Sequence, residues 1–203
     1  MPEITLINGD CLIEMKALAD ESIDLVLTDP PYLKDTVYIY KELAREAKRF
    51  LKEGSYLFAY CGTPYLPRIL GDMGQYLDWF WLFEIKHNGG NPRYWDRKIM
   101  VGKKPVVVYT NGVPNRKEWL CDLHTSEKAS KHFHKWGQSG SFSTKIIEVL
   151  TNKGDTIIDP FLGGGTTGVA AKELGRSFIG IEISKPYFEI AQRRINQAVT
   201  NLL

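Results

Sequence analysis

Cysteine is scarce in this chain, with three residues, at 11, 61 and 121, in a length of 203. That is too few for a disulfide framework, so a reducing cytoplasm is the expected compartment. Long apolar runs are absent as well. A membrane span needs ~18 uninterrupted apolar residues, and the longest candidate, 76–85, is broken by Asp78 and Glu84. The opening MPEITLINGD lacks the basic-then-apolar order of a secretory leader. No internal period or biased tract points to a solenoid, a collagen or a low-complexity chain. With 43% hydrophobic and 25% charged residues, the composition is that of an ordinary globular protein, not a disordered one. The length suits one domain carrying an insertion better than two domains.

An excess of either charge sign is also missing overall, but the net +2 hides a split. Residues 86–135 hold 11 Lys and Arg against 4 Asp and Glu, whereas the rest holds 15 basic and 20 acidic residues. All four histidines (87, 124, 132, 134) fall in the basic stretch. Such asymmetry fits a segment that meets a polyanion on a body that does not. It equally fits a solvated surface insertion, and charge alone does not choose between them.

Short apolar runs alternate with helical periodicity. Strands are expected at 4–7, 23–27, 55–60, 78–85, 106–109, 156–158 and 178–183. Helices are expected at 12–18, 35–51 (closed by Gly54), 64–73, 144–151, 166–174 and 186–199. Residues 87–102 read as loop, 113–141 have weak periodicity, and Trp79-Phe80-Trp81 reads as the core of an aromatic strand. Strand–helix alternation predicts an α/β, mainly parallel, doubly wound sheet of the Rossmann-like kind. The organisation expected is a single domain over 1–203 with an inserted segment at 86–135. Ligands of such sheets bind beyond the carboxyl ends of the strands, where two motifs fall.

The first is Asp159-Pro160-Phe161-Leu162-Gly163-Gly164-Gly165-Thr166-Thr167, at a strand-to-helix turn. Glycines there admit positive φ and close approach of a ligand to the helix N-terminus. A phosphate would suit, but the Lys of a P-loop and the G-x-G-x-x-G spacing of dinucleotide sites are both missing. A carboxylate, Asp159, stands at the strand end instead. It would repel a pyrophosphate and attract an ammonium group. The next strand ends in Glu182, followed by Ile183, and an acid at that place can accept both ribose hydroxyls. The pocket therefore suits a nucleoside with a cationic amino-acid arm, the shape of S-adenosylmethionine. A plain βαβ unit with a tight turn is the alternative.

The second motif is Thr28-Asp29-Pro30-Pro31-Tyr32, following a buried strand. Two prolines stiffen the exit and remove two donors, leaving carbonyls to accept. Asp29 adds an acceptor, so the pair suits an exocyclic NH₂ group, and Tyr32 offers a face on which a base can stack. A rigid turn with a packed tyrosine would leave the same trace.

Together the motifs resemble the S-adenosylmethionine-dependent DNA amino-methyltransferases, which modify adenine at N6 or cytosine at N4. The order, with Asp-Pro-Pro-Tyr first, the cofactor loop last and the basic segment between, resembles the permuted class beta. The resemblance covers most of 4–62 and 136–195. It implies catalytic roles for Asp29, Pro30, Pro31 and Tyr32. It implies a cofactor site of Asp10, Cys11, Asp159, Phe161, Gly163, Gly164, Gly165, Thr166, Thr167, Glu182 and Ile183, with Asp10 in the turn that faces the cofactor adenine. Where the family has a His-Pro-Thr-Gln-Lys-Pro-like segment, this chain reads Trp136-Gly137-Gln138-Ser139-Gly140-Ser141. Gln138 and Ser139 are the counterparts there. Gly164 replaces the usual Ser or Cys, which should loosen the turn without abolishing binding.

The implied chemistry is direct in-line transfer to a flipped base in double-stranded DNA. An Asp at the head of the tetrad favours adenine, and a cytosine N4 enzyme is the runner-up. An RNA amino-methyltransferase comes next, and a non-catalytic cofactor- or DNA-binding subunit is the reading from another class. Ring-carbon methylation uses a Cys nucleophile after Pro, and none of the three cysteines follows a proline. In the basic segment, Arg93, Arg97 and Lys98 are expected at phosphates, with Trp95 stacking or wedging. A loop packed on the body by its aromatics would read the same way. Cys121, His124, His132 and His134 lack a standard zinc spacing, so no metal is expected. A homodimer would enlarge the recognition surface, and a restriction nuclease is the partner such an enzyme would have. The expected location is the cytoplasm, on the nucleoid through DNA.

Overall fold

In chain order the computed structural model has strand β1 (Ile4–Asn8), helix α1 (Cys11–Glu14), β2 (Ile23–Thr28), α2 (Tyr38–Phe50), β3 (Leu51–Tyr60), α3 (Leu66–Met73) and β4 (Asp78–Lys86). A small hairpin, β5 (Arg93–Tyr94) and β6 (Ile99–Met100), precedes β7 (Lys103–Thr110) and β8 (Leu123–Thr125). The chain ends in α4 (Gly140–Leu150), β9 (Thr156–Asp159), α5 (Thr166–Glu173), β10 (Ser177–Glu182) and α6 (Lys185–Gln197). The structure describes residues 2–86, 93–114, 118–125 and 140–200.

The sheet has eight strands in the order β1-β10-β9-β2-β3-β7-β4-β8. The run from β1 to β3 is parallel, β7 is antiparallel to both its neighbours, and β8 is parallel to β4. From β9 the chain winds outward to β10, and from β2 it winds the other way to β3. The order therefore reverses between β2 and β9, which is the switch point where an open α/β sheet binds its ligand.

Two apolar layers follow from the period-two alternation of strands buried on both faces. Val26, Leu57, Ala59, Val107, Ile158 and Ile181 pack with α1, α2 and α3. Leu25, Phe58, Val106, Val108, Ile157 and Phe178 pack with α4, α5 and α6. Helix α2 buries Ile39, Tyr40, Leu43, Ala44, Ala47 and Phe50, an i, i+4 stripe matching the sheet, and carries Lys48 and Arg49 where the helix dipole favours cations. It is shorter than expected. Residues 34–36 form a separate tight turn, in which the Thr36 hydroxyl donates to the carbonyls of Pro31 and Leu33. At the other end the chain becomes extended at Leu51. Gly54, at φ +76°, lies inside β3, where its N–H donates to the Asn111 carbonyl.

Three other expectations are corrected. The basic stretch 86–135 is not an insertion throughout, because β7 lies within it as an inner strand of the sheet, with Val106, Val107 and Val108 fully buried. Its VVVY run is apolar enough to be drawn into the core between two other strands. The residues 87–102 are not all loop either, since 93–100 form the β5–β6 hairpin. Trp79 and Trp81 are not core residues. They are about half exposed, and a register shift between them interrupts their pairing with β7. They border a surface cavity of 550 Å³ with Leu82, Glu84, Asp122 and Leu123, and Trp81 Nε1 donates to Asp122.

Candidate active site

The ends of β2 and β9 are joined by one bond. Thr28 Oγ1, the last residue of β2, donates to Asp159 Oδ1, the last of β9, at 2.7 Å. Two motifs 131 residues apart in sequence thus meet at the switch point. Thr28 was only the neighbour of the tetrad in the sequence, and nothing in its residue type announces the role.

Asp159 is 4% exposed. Its Oδ1 also accepts the Phe161 N–H at 3.1 Å, which closes the start of the glycine loop. Burial pushes its carboxyl up to about 6, against bonds from Thr28, Thr167 and Phe161 N–H that favour the ionised form. Asp29 nearby raises it further. Gly165 caps α5 at φ +79°, and a Cβ there would sit 2.9 Å from the Ala191 Cβ, so this position requires glycine on conformation and on space. Gly163, at φ +50°, also has a left-handed backbone. Gly164 does not share that conformation. Its carbonyl accepts from Arg194 Nη1, which ties the loop to α6.

Glu182 ends β10 and is held at both oxygens. Oε2 accepts the Gly163 N–H and Oε1 the Ser184 N–H, each at 2.8 Å. The turn after β1 is joined to the same place: Gly9 N–H and Asn8 Nδ2 both donate to the Glu182 carbonyl, and Asn8 Nδ2 also reaches that of Ile183. Asp10 then caps α1, its Oδ1 accepting the Leu12 N–H at 2.9 Å. Cys11 is buried, and burial beside Asp10 pushes its thiol up to about 12; Cys61 is raised likewise, so neither is an activated nucleophile. Ile183 is exposed next to Glu182.

Asp10, Asp159 and Glu182 thus line the carboxyl ends of three neighbouring strands, beside a turn with two left-handed glycines and a helix N-terminus. Three carboxylates would repel a polyphosphate. They fit a nucleoside whose hydroxyls need acceptors and whose other end is cationic. Thr166 and Thr167 open α5 under this loop. Gln138 and Ser139 lie outside the described residues.

On the other side of Thr28, the Pro31 carbonyl is taken by Thr36, which leaves the Asp29 carboxylate and the Pro30 carbonyl as the tetrad's acceptors. The Tyr32 hydroxyl is buried and has no hydrogen-bond partner among the described residues, a state a bound ligand could relieve. Sequence reasoning missed Lys104, at the start of β7. Its Nζ reaches Asp29 Oδ2 at 2.9 Å and lies 4.7 Å from the ring centres of Tyr32 and Tyr60. Its only sequence signal is a lysine two residues before a buried valine run.

The four expected DNA contacts cluster on the β5–β6 hairpin. Arg93 lies over the Trp95 ring at 5.6 Å, Trp95 is 68% exposed, and Arg97 pairs loosely with Asp96 at 3.9 Å. Lys98 turns the hairpin with a positive φ. The hairpin is thus exposed and not packed down by its aromatics. His124 bonds Ser141 Oγ through Nε2, and among the described residues no His, Cys, Asp and Glu group could hold a metal. His132 and His134 lie outside them. No helix among those residues is long and apolar enough to cross a membrane.

Comparison with known proteins gives the same direction. A family model described as DNA methylase matches residues 108–193. The type II methyltransferase M.HinfI of Haemophilus influenzae is 27% identical over 97% of this chain and 69% of its own length. M.HpaI of Haemophilus parainfluenzae is 29% identical over 94% and 74%. Among solved structures, the M1.HpyAVI–SAM complex superposes with a TM-score of 0.79 at 24% identity, over 95% of this chain and 99% of that one. The PvuII DNA methyltransferase (cytosine-N4-specific) gives 0.84 at 19%, over 100% and 89%. By these likenesses the chain resembles DNA amino-methyltransferases of the restriction–modification type, the N6 and N4 enzymes.

Proposed function

We propose that this protein methylates the N6 amino group of adenine in double-stranded DNA, using S-adenosylmethionine. The observation that carries the reading is the Thr28–Asp159 bond, which sets an amino-group acceptor turn against a loop suited to a cationic nucleoside. The cofactor, when bound, supplies an electrophilic methyl group on a sulfonium sulfur. Glu182 would hold its ribose hydroxyls, Asp10 and Cys11 would border its adenine, and the loop from Asp159 to Thr167 would receive its methionine end. Asp29 and the Pro30 carbonyl accept the two hydrogens of the target amino group, turning its lone pair away from them. Asp29 also stabilises the positive charge that grows on the nitrogen. Pro31 fixes the turn, and Tyr32 stacks on the flipped base, worth ~1–3 kcal/mol. The hairpin residues Arg93, Trp95, Arg97 and Lys98 meet the duplex, within one domain working in the cytoplasm.

Asp at the head of the tetrad favours adenine. A cytosine N4 enzyme is the second reading, and the likeness to the PvuII fold favours it. Labelled S-adenosylmethionine and unmethylated genomic DNA, followed by nucleoside mass spectrometry, test the choice. N6-methyladenine is expected. N4-methylcytosine would overturn the base, and no labelled product would overturn the activity.

A further inference from the structure

Lys104 is poorly placed for a lysine that serves DNA phosphates. Its side chain is only 15% exposed, whereas that of its neighbour Lys103 is 58% exposed and pairs with Glu84. The Lys104 ammonium is fully engaged on the protein itself. It donates to both oxygens of Asp29, at 2.9 and 3.2 Å, and stands 4.7 Å from the rings of Tyr32 and Tyr60. A cation half-withdrawn from water needs such partners. Tyr60 is itself buried, and its ring packs against Phe142. It is a fixed wall.

These contacts repeat the ones that the proposed reaction asks of the nucleobase: N–H donors on Asp29 beside the face of Tyr32. Two nitrogens cannot use the same carboxylate and the same ring space together. Resting on the methyl-transfer reading above, we propose that Asp29, Tyr32 and Tyr60 form a subsite for the acceptor amino group, and that the Lys104 ammonium stands in for that group until a flipped base displaces it. Tyr60 thereby joins the site as a second aromatic wall. Two consequences follow from the chemistry. A base without an exocyclic NH₂ cannot replace the bonds to Asp29 that Lys104 gives up, so it does not displace the lysine. With Lys104 in place, Asp29 is also a weaker acceptor for charge on an attacking nitrogen, so the subsite gains its full strength only when occupied by a base.

Lys104→Met keeps the length and apolar stem of the side chain and removes the ammonium; Lys104→Leu, which likewise carries no N–H donor, replaces it if the Met variant fails to fold. Removing a tethered competitor raises the competent fraction of the site, so KM for DNA falls by about fivefold in the variant, more than kcat changes. A second readout needs neither cofactor nor DNA. Propylammonium chloride raises Tm of the variant above equal sodium chloride, and fails to do so for the wild type, whose subsite is filled, and for a variant also carrying Asp29→Asn. In the transfer assay propylammonium competes with DNA in the variant alone. A rise in KM with kcat preserved would make Lys104 a phosphate contact and overturn the proposal. Equal effects of the amine on wild type and variant would overturn it as well. A wild type that transfers no methyl group to DNA would defeat the functional reading, while the amine's effect on Tm would still report on the subsite.

Discussion

Asp159 and Trp95 belong to the two surfaces proposed to meet the cofactor and DNA, and they are built in opposite ways. Asp159 is 4% exposed and bonded to Thr28 and Phe161; Glu182 is held at both oxygens by backbone N–H groups. Trp95 is 68% exposed, with Arg93 stacked on it, on a hairpin of two-residue strands. The first surface is fixed before any ligand arrives, because bonds from three strands and the glycine turn determine each carboxylate. The second is held by little more than its own two-residue strands, the Arg93–Trp95 stack and a loose Arg97–Asp96 pair. Chemistry needs the first kind, since small displacements of reacting groups cost rate. A long polyanion can be held by the second, whose contacts are charge and stacking.

The largest test of this contrast lies in the fixed region. Asp29→Ala should lower methyl transfer by about 10³-fold, in the range seen when one preorganised charge-stabilising group is lost. S-adenosylmethionine affinity, measured by calorimetry, should stay close to the wild-type value, because the cofactor loop is held by Thr28, Phe161, Gly163 and Arg194 and not by Asp29. Loss of cofactor binding in a folded Asp29→Ala protein would end the division of roles across the Thr28–Asp159 bond.

A second test uses the charge of Asp159. Its folded carboxyl, raised by burial to about 6 from 3.8, favours the protonated form. The stability linked to that proton is fully present below the ordinary value near 3.8 and is lost as pH rises through about 6. A cationic ligand has the opposite demand, since it binds the ionised form. Cofactor affinity should therefore weaken by about tenfold from pH 7 to pH 5, while the ligand-free protein gains stability from this group over the same descent. Asp159→Asn should flatten both trends. A pH slope in cofactor affinity that survives the substitution would assign it to another group.

The strand–helix alternation, both motifs and the parallel sheet were legible because each is local: an apolar run with its own turn. What the sequence concealed is what depends on pairing. The run 106–109 reads as a strand, but only the sheet order shows it sitting between β3 and β4, so the basic stretch around it looked like one insertion. Trp79 and Trp81 look like core by residue type, yet the register shift leaves them half exposed. Lys104 and Tyr60 join the Asp29 site through the antiparallel pairing of β7 with β3, a contact no spacing encodes. Thr28 likewise carries no signal until β9 lies beside β2.

The smallest expected effect belongs to the open surface. Arg97→Ala should weaken DNA binding by only about threefold at moderate salt and lower the slope of log K against log salt by ~0.9, the release of about one counterion. Its side chain is 58% exposed and its pairing with Asp96 is loose, so the folded protein should not register the loss. Asp29→Ala, by contrast, should leave the salt slope alone while destroying transfer. The two variants together separate the surfaces: one changes ionic linkage without chemistry, the other chemistry without ionic linkage. If Arg97→Ala leaves the slope unchanged, the hairpin is not at the phosphates. The remaining basic side chains of 86–135 must then supply the interface, and the contrast between a fixed and an open surface would have to be drawn elsewhere on the molecule.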